Sequence, residues 1–149
     1  MTTQTDEWIP PPIVPISQTI LYSIEGEQQG IIGNCLQASL ASALGLPLDA
    51  VPNFASFLWW PSAVRLWLRG RQLDWCLVSE IPAGRSIVVG RTIRNTGRDH
   101  AVVGDNGHVT WDPHPSHAGL VTVKHAYVLE RWPNPERPGP AVCILCGKT

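Results

Sequence analysis

The sequence predicts an α+β fold, and three observations predict it. Helix signals are confined to the first half: Leu36, Leu40 and Leu44 repeat every four residues, and Val64, Trp67 and Leu68 fall on one helical face. The second half switches to strand-like runs separated by turn residues, with Asn106-Gly107 the clearest hairpin signal. Strands that follow helices, instead of alternating with them, give an antiparallel sheet with helices packed against it.

The elements follow in chain order. Pro10, Pro11, Pro12 and Pro15 mark residues 1–18 as an extended arm in front of one domain over 19–149. Thr19–Ile24 reads as a short strand and Glu25–Gly30 as a polar loop. A helix then runs from Cys35 to about Leu44. Asn34 is its expected N-cap, with Gln37 placed for a capping-box exchange, and Gly45 and Pro47 end it. Asp49 can cap a short turn. A second helix begins at Ser62 and ends at Gly70, with Arg65, Arg69 and Arg71 expected on its polar side. Leu73–Val78, Ser86–Ile93, Asp99–Gly104, His108–Asp112, Val121–Val123 and His125–Arg131 are strand candidates, and Ala141–Leu145 is a possible edge strand. A chain of 149 residues is long enough to bury its own core as one domain, and it contains no internal repeat.

Composition excludes several classes of function. A net charge of −1 without a basic block argues against a nucleic-acid partner. No apolar stretch approaches the roughly 18 residues of a membrane span, and no charged segment followed by an apolar run marks a leader. The expected setting is therefore cytoplasmic, with Cys35, Cys76, Cys143 and Cys146 as reduced thiols. Cys143 and Cys146 have zinc-knuckle spacing, and His114 and His117 could complete a site. However, Ile144-Leu145 between the two cysteines reads as strand, so neither a metal nor a cofactor is expected. The seven tryptophans are read mainly as core. The alternative is a binding scaffold in which Trp59, Trp60 and Trp67 form a partner face.

Chemistry concentrates at Cys35. At the first position of a helix, the open amides and the helix dipole favour a thiolate, the form a nucleophile needs. The hairpin supplies a base and its orienting group. A two-residue turn at Asn106-Gly107 would put His100 and Asp112 on different faces. A three-residue loop, Asp105 to Gly107, would set them opposite each other on one face, and a glycine at its last position favours that form. A carboxylate beside the imidazole would hold one tautomer and stabilise the charged ring. Gln29, six residues before Cys35, can donate to an oxyanion together with the Cys35 amide, and Gln28 is the adjacent alternative. Arg94, Asn95 and Arg98, just before His100, are candidates for substrate contact. Ser116, His114 and His117 are expected in the loop beside the site.

The order Gln29, Cys35, His100, Asp112-Pro113 resembles the papain-like cysteine peptidase superfamily. It is most similar to the bacterial double-glycine leader peptidases attached to bacteriocin exporters, which share a Gln-x5-Cys opening and an Asp-Pro after the His strand. The segments Gly33 to Pro47, His100-Ala101-Val102-Val103 and Trp111 to Ser116 also resemble small uncharacterised papain-like proteins of bacteria and phages. The chain departs from plant-type papains in having Leu36, not Trp, after the cysteine. The resemblance implies a papain-like fold, with the Cys35 helix packed on the sheet. It implies a cysteine hydrolase acting on peptide, isopeptide or other amide bonds through a thioester, or an acyltransferase or transglutaminase using the same residues. Cys35, His100, Asp112 and Gln29 would be catalytic, and Asn34, Trp111, His114 and Arg98 would contact substrate. The resemblance to double-glycine peptidases suggests a protein or peptide partner with a glycine-rich C-terminal segment, in the cytoplasm of a bacterium or of a phage host.

Overall fold

The computed structural model describes residues 8–29, 33–94 and 97–133. Its elements are α1 (Ile24–Gln28), α2 (Cys35–Leu44), two 3-10 turns (Leu48–Ala50 and Phe54–Ser56), α3 (Trp60–Arg69), β1 (Leu73–Val78), β2 (Ser86–Arg91), β3 (His100–Asp105), β4 (His108–Trp111) and β5 (Thr122–Arg131). The strands form one antiparallel sheet in the order β1-β5-β2-β3-β4. The α+β expectation is met.

The leucine repeat explains where α2 lies. Leu36, Leu40 and Leu44 are all buried, in one cluster with Ile87 of β2 and Ala101 and Val103 of β3. Burying each of them contributes about 1.5–3 kcal/mol. The Ser39 hydroxyl donates to the Ala101 carbonyl at 3.0 Å, which pins α2 across β3. α3 adds Val64 and Leu68 to the same core, beside Trp75 of β1, and Trp60 and Trp67 pack against it. Trp59 is 44% exposed. Arg65 and Arg69 do not lie on a solvated face. Their guanidinium groups each meet the buried Asp74 at 3.0 Å, tying α3 to the start of β1.

The N-terminal segment differs from the strand expected over Thr19–Ile24. Ser23 accepts from the Gly26 amide and caps α1, whose first turn carries Glu25 and Glu27. The backbone before it is bound by a side chain instead of a sheet: the Asn34 carboxamide oxygen accepts from the amides of Thr19 (3.0 Å) and Ile20 (2.8 Å). Asn34 is therefore not the side-chain cap of α2. Upstream, the extended arm runs over the domain. The Val14 amide donates to the Ser42 carbonyl, and buried Arg85 donates to the Pro11 and Ala43 carbonyls. α3 begins at Trp60, two residues earlier than expected, because Pro61 suits the first turn. The two expected strands after residue 120 are one strand, β5, with a bulge opposite Val89 and Gly90. Ala141–Leu145 lies outside the described residues.

The hairpin also differs in detail. Its turn has two residues, Asn106 (φ 55°) and Gly107 (φ 80°), between paired Asp105 and His108. Positive φ at both positions is the turn that matches the right-handed strand twist, and Asn-Gly is the pair that tolerates it. The odd residue enters one step later. Gly104 pairs with Val109 but Val103 pairs with Trp111, so Thr110 is an extra residue on β4. This bulge restores the parity that the two-residue turn would have broken.

At the β2–β5 bulge, a Cβ on Gly90 would lie 1.9 Å from the Thr122 carbonyl oxygen. Gly90→Ala should therefore lower stability by about 1–3 kcal/mol, read as a shift of the denaturant midpoint. An unchanged midpoint would contradict this close approach.

Candidate active site

Because α2 crosses β3, its first residue meets the first residue of the strand. The Cys35 thiol is half-buried and lies near enough to the His100 ring to favour its charged form. On the other side, His100 Nε2 lies 2.7 Å from Asp112 Oδ1. With Nε2 on the carboxylate, Nδ1 carries the ring's second donor. Asp112 follows the end of β4, and the Thr110 bulge has turned it to the His100 face. Its carboxylate has two further donors: the His114 amide to Oδ1 at 2.9 Å and the Gly119 amide to Oδ2 at 2.8 Å.

The electrostatics follow from these contacts. Burial alone would push the Asp112 carboxyl up. The bond from His100 and the two amide donors outweigh it and hold the group below its ordinary range. Burial alone would push His100 down. Hydrogen bonds to Asp112 and Cys35, and the attraction of both groups, outweigh it and raise the imidazole to about 9. The ring is thus an imidazolium at neutral pH, held by a carboxylate on Nε2 and favoured by the neighbouring Cys35.

Cys35 and His100 line a cleft of about 540 Å³. One wall is the N-terminal segment, with Gln18, Tyr22 and Glu27. The facing lip is the segment before β3, with Arg94, Arg98 and Asp99. Of the expected substrate contacts, His114 and Arg98 line the cleft. Arg98 forms an ion pair with Glu27 and stands over the Tyr22 ring.

The other expected positions fall elsewhere. Asn34 is 1% exposed, and its amide nitrogen donates to Thr19 Oγ1 and Gln37 Oε1. All its polar atoms are engaged in fastening the cleft wall, so it is not a substrate contact. Trp111 packs against the core, donates from its indole nitrogen to the Ile16 carbonyl and lies against His117, outside the cleft. Gln29 is exposed at the C-cap of α1 and does not line the cleft, because the expected polar loop is a helix that carries it to the surface. Asn95 lies outside the described residues. Among those residues, no three His, Cys, Asp or Glu side chains group as a metal site, and Cys143 and Cys146 fall outside them.

The residue that sequence reasoning passed over is Gln18. It is buried, lines the cleft and donates from Nε2 to the Ile20 carbonyl at 2.9 Å. Its Oε1 has no partner among the described residues. A polar residue in a proline-rich arm gives no local signal of a role in a cleft. Only the return of the arm, through the Gln18 amide to the Pro113 carbonyl, brings it there. Comparison with known protein families, with curated proteins and with solved structures finds no match.

The Asn34 contacts make a test. Asn34→Ala leaves the Thr19 and Ile20 amides without their acceptor, which should cost about 1–3 kcal/mol. Hydrogen exchange at those two amides should quicken more than at the α2 core. Protection that stays unchanged there would show that something else holds the wall.

Proposed function

We propose that this protein is a papain-like thiol hydrolase that cleaves peptide or other amide bonds. The observation that carries the reading is Cys35 beside His100 in an open cleft, with the His100 ring bonded to the buried Asp112 behind it. The sequence resemblance supports the same roles for the same three residues.

The chemistry follows from the groups present. The Cys35 thiolate attacks the amide carbonyl, and negative charge develops on its oxygen. The Cys35 backbone amide, at the open end of α2, donates to that oxygen. Gln18 takes the role expected of Gln29: one Nε2 hydrogen is held by Ile20 and the other is available to the oxyanion. His100 delivers its proton to the leaving nitrogen, the C–N bond breaks, and a thioester remains on Cys35. His100 then takes a proton from water, which attacks the thioester and frees the acid and the thiol. An amine in place of water makes the same steps an acyl transfer. Asp112 keeps the imidazole oriented throughout.

Alkylation with iodoacetamide near neutral pH tests this. Cys35 should be modified well before Cys76, and His100→Ala should slow its modification by about tenfold or more. Equal rates at the two cysteines, with no dependence on His100, would contradict the reading.

A further inference from the structure

Among the described residues, the charged side chains that line the cleft are paired with one exception. Glu27 holds Arg98 and accepts from the Tyr22 hydroxyl. Asp99 meets Arg91 at 3.2 Å and Lys124 at 3.1 Å. Arg94 is half-buried in the same lip as Arg98 and Asp99, and its Nη1 donates to the Ser116 hydroxyl at 3.0 Å. It pairs with no carboxylate among the described residues. A guanidinium anchored by a neutral hydroxyl keeps most of its fork of donors, and all of its charge, for a ligand.

His114 stands beside it. Its Nδ1 accepts from the Ser116 amide at 3.0 Å, with the Ser116 hydroxyl at 2.9 Å. A neutral imidazole that accepts at Nδ1 carries its proton on Nε2, so His114 presents an N–H donor. Burial, and then the charge of Arg94, push its pKa down and favour that neutral ring. The ring is edge-on to His100, centroid to centroid 6.2 Å, and the His114 backbone is bonded to Asp112. Arg94, Ser116 and His114 therefore form one connected group on the His100 side of Cys35.

That side has a chemical meaning. His100 protonates the leaving nitrogen, so groups next to it face the leaving half of the substrate. We propose that Arg94 and His114 form a carboxylate-binding subsite, and that the scissile amide joins an acyl group to an amine bearing a carboxylate, such as a C-terminal amino acid. The proposal rests on the thiol hydrolase reading and names its substrate class. The carbonyl–nitrogen bond breaks as the thioester forms, the His100 proton goes to the nitrogen, and the amino acid departs with its carboxylate on Arg94. The fork of Arg94 suits the two oxygens of a carboxylate, whereas a carboxamide would meet it with one acceptor and no charge.

Binding can be read without turnover. A Cys35→Ser protein is titrated with N-acetylglycine, or with N-acetylglycinamide, while the His114 ring is followed by NMR. The acid should give a saturable shift and the amide should not. Arg94→Gln should abolish the shift, and Arg94→Lys, which keeps the charge without the fork, should weaken it. An equal response to acid and amide, a shift that survives Arg94→Gln, or no shift at all would overturn the subsite. Alkylation of Cys35 in the unmodified protein is scored separately. Loss of the hydrolase reading appears there, and loss of the subsite appears only in the titration.

Discussion

A buried carboxylate needs donors, and much of this site is the set of donors that Asp112 collects. Its two oxygens take the His100 ring, the His114 amide and the Gly119 amide. These bonds turn the chain after β4 back on itself. They also fix the imidazole at the start of β3. Removing the imidazole would leave two amide bonds on a carboxylate that lies 4% exposed, and removing the carboxylate would strand the imidazolium. Each charge is tolerable in the interior because the other is present. The same pair sets the protonation state that a thiol partner requires.

The second constraint is the return of the N-terminal arm. Its backbone lies over α2 through Ser42 and meets the loop after Asp112 through Gln18. Asn34, one residue before Cys35, is the acceptor that holds residues 19 and 20. Anchoring the cleft wall and placing the cysteine are thus tasks of adjacent residues. The cleft has one wall from the arm and one from the segment before β3, and the bond between Glu27 and Arg98 spans them.

Much of this was legible in the sequence. The leucine repeat marked α2, Gly45 marked its end, and β1 was bounded as found. The His100–Asp112 pairing was also foreseen, although through a three-residue loop. A bulge at Thr110 satisfies the same parity, and sequence patterns do not distinguish an extra residue in a turn from one in a strand. Asn34 was misread because an asparagine before a helix is usually its cap. Here tertiary contact with Thr19 and Ile20 competes for its oxygen and wins. Gln18 and the pairing state of Arg94 were out of reach, since both depend on segments that meet only after folding. Arg65 and Arg69 were placed at the surface by local pattern alone, because their partner Asp74 belongs to the next element.

The central claim is that His100 is an imidazolium sustained by Asp112 and Cys35. Because its folded pKa lies above the unfolded value of 6.5, the His100 charge contributes stability that is fully present below that pH and lost as pH rises through about 9, whereas the share of Asp112, whose pKa is lowered, is lost on acidification. The most direct measurement is an NMR titration of the His100 ring nitrogens in the wild-type protein and in Asp112→Asn. The account predicts a ring that keeps its proton until about 9 in the wild type and releases it at distinctly lower pH in the variant. A His100 that titrates near 6.5 in both proteins would contradict it.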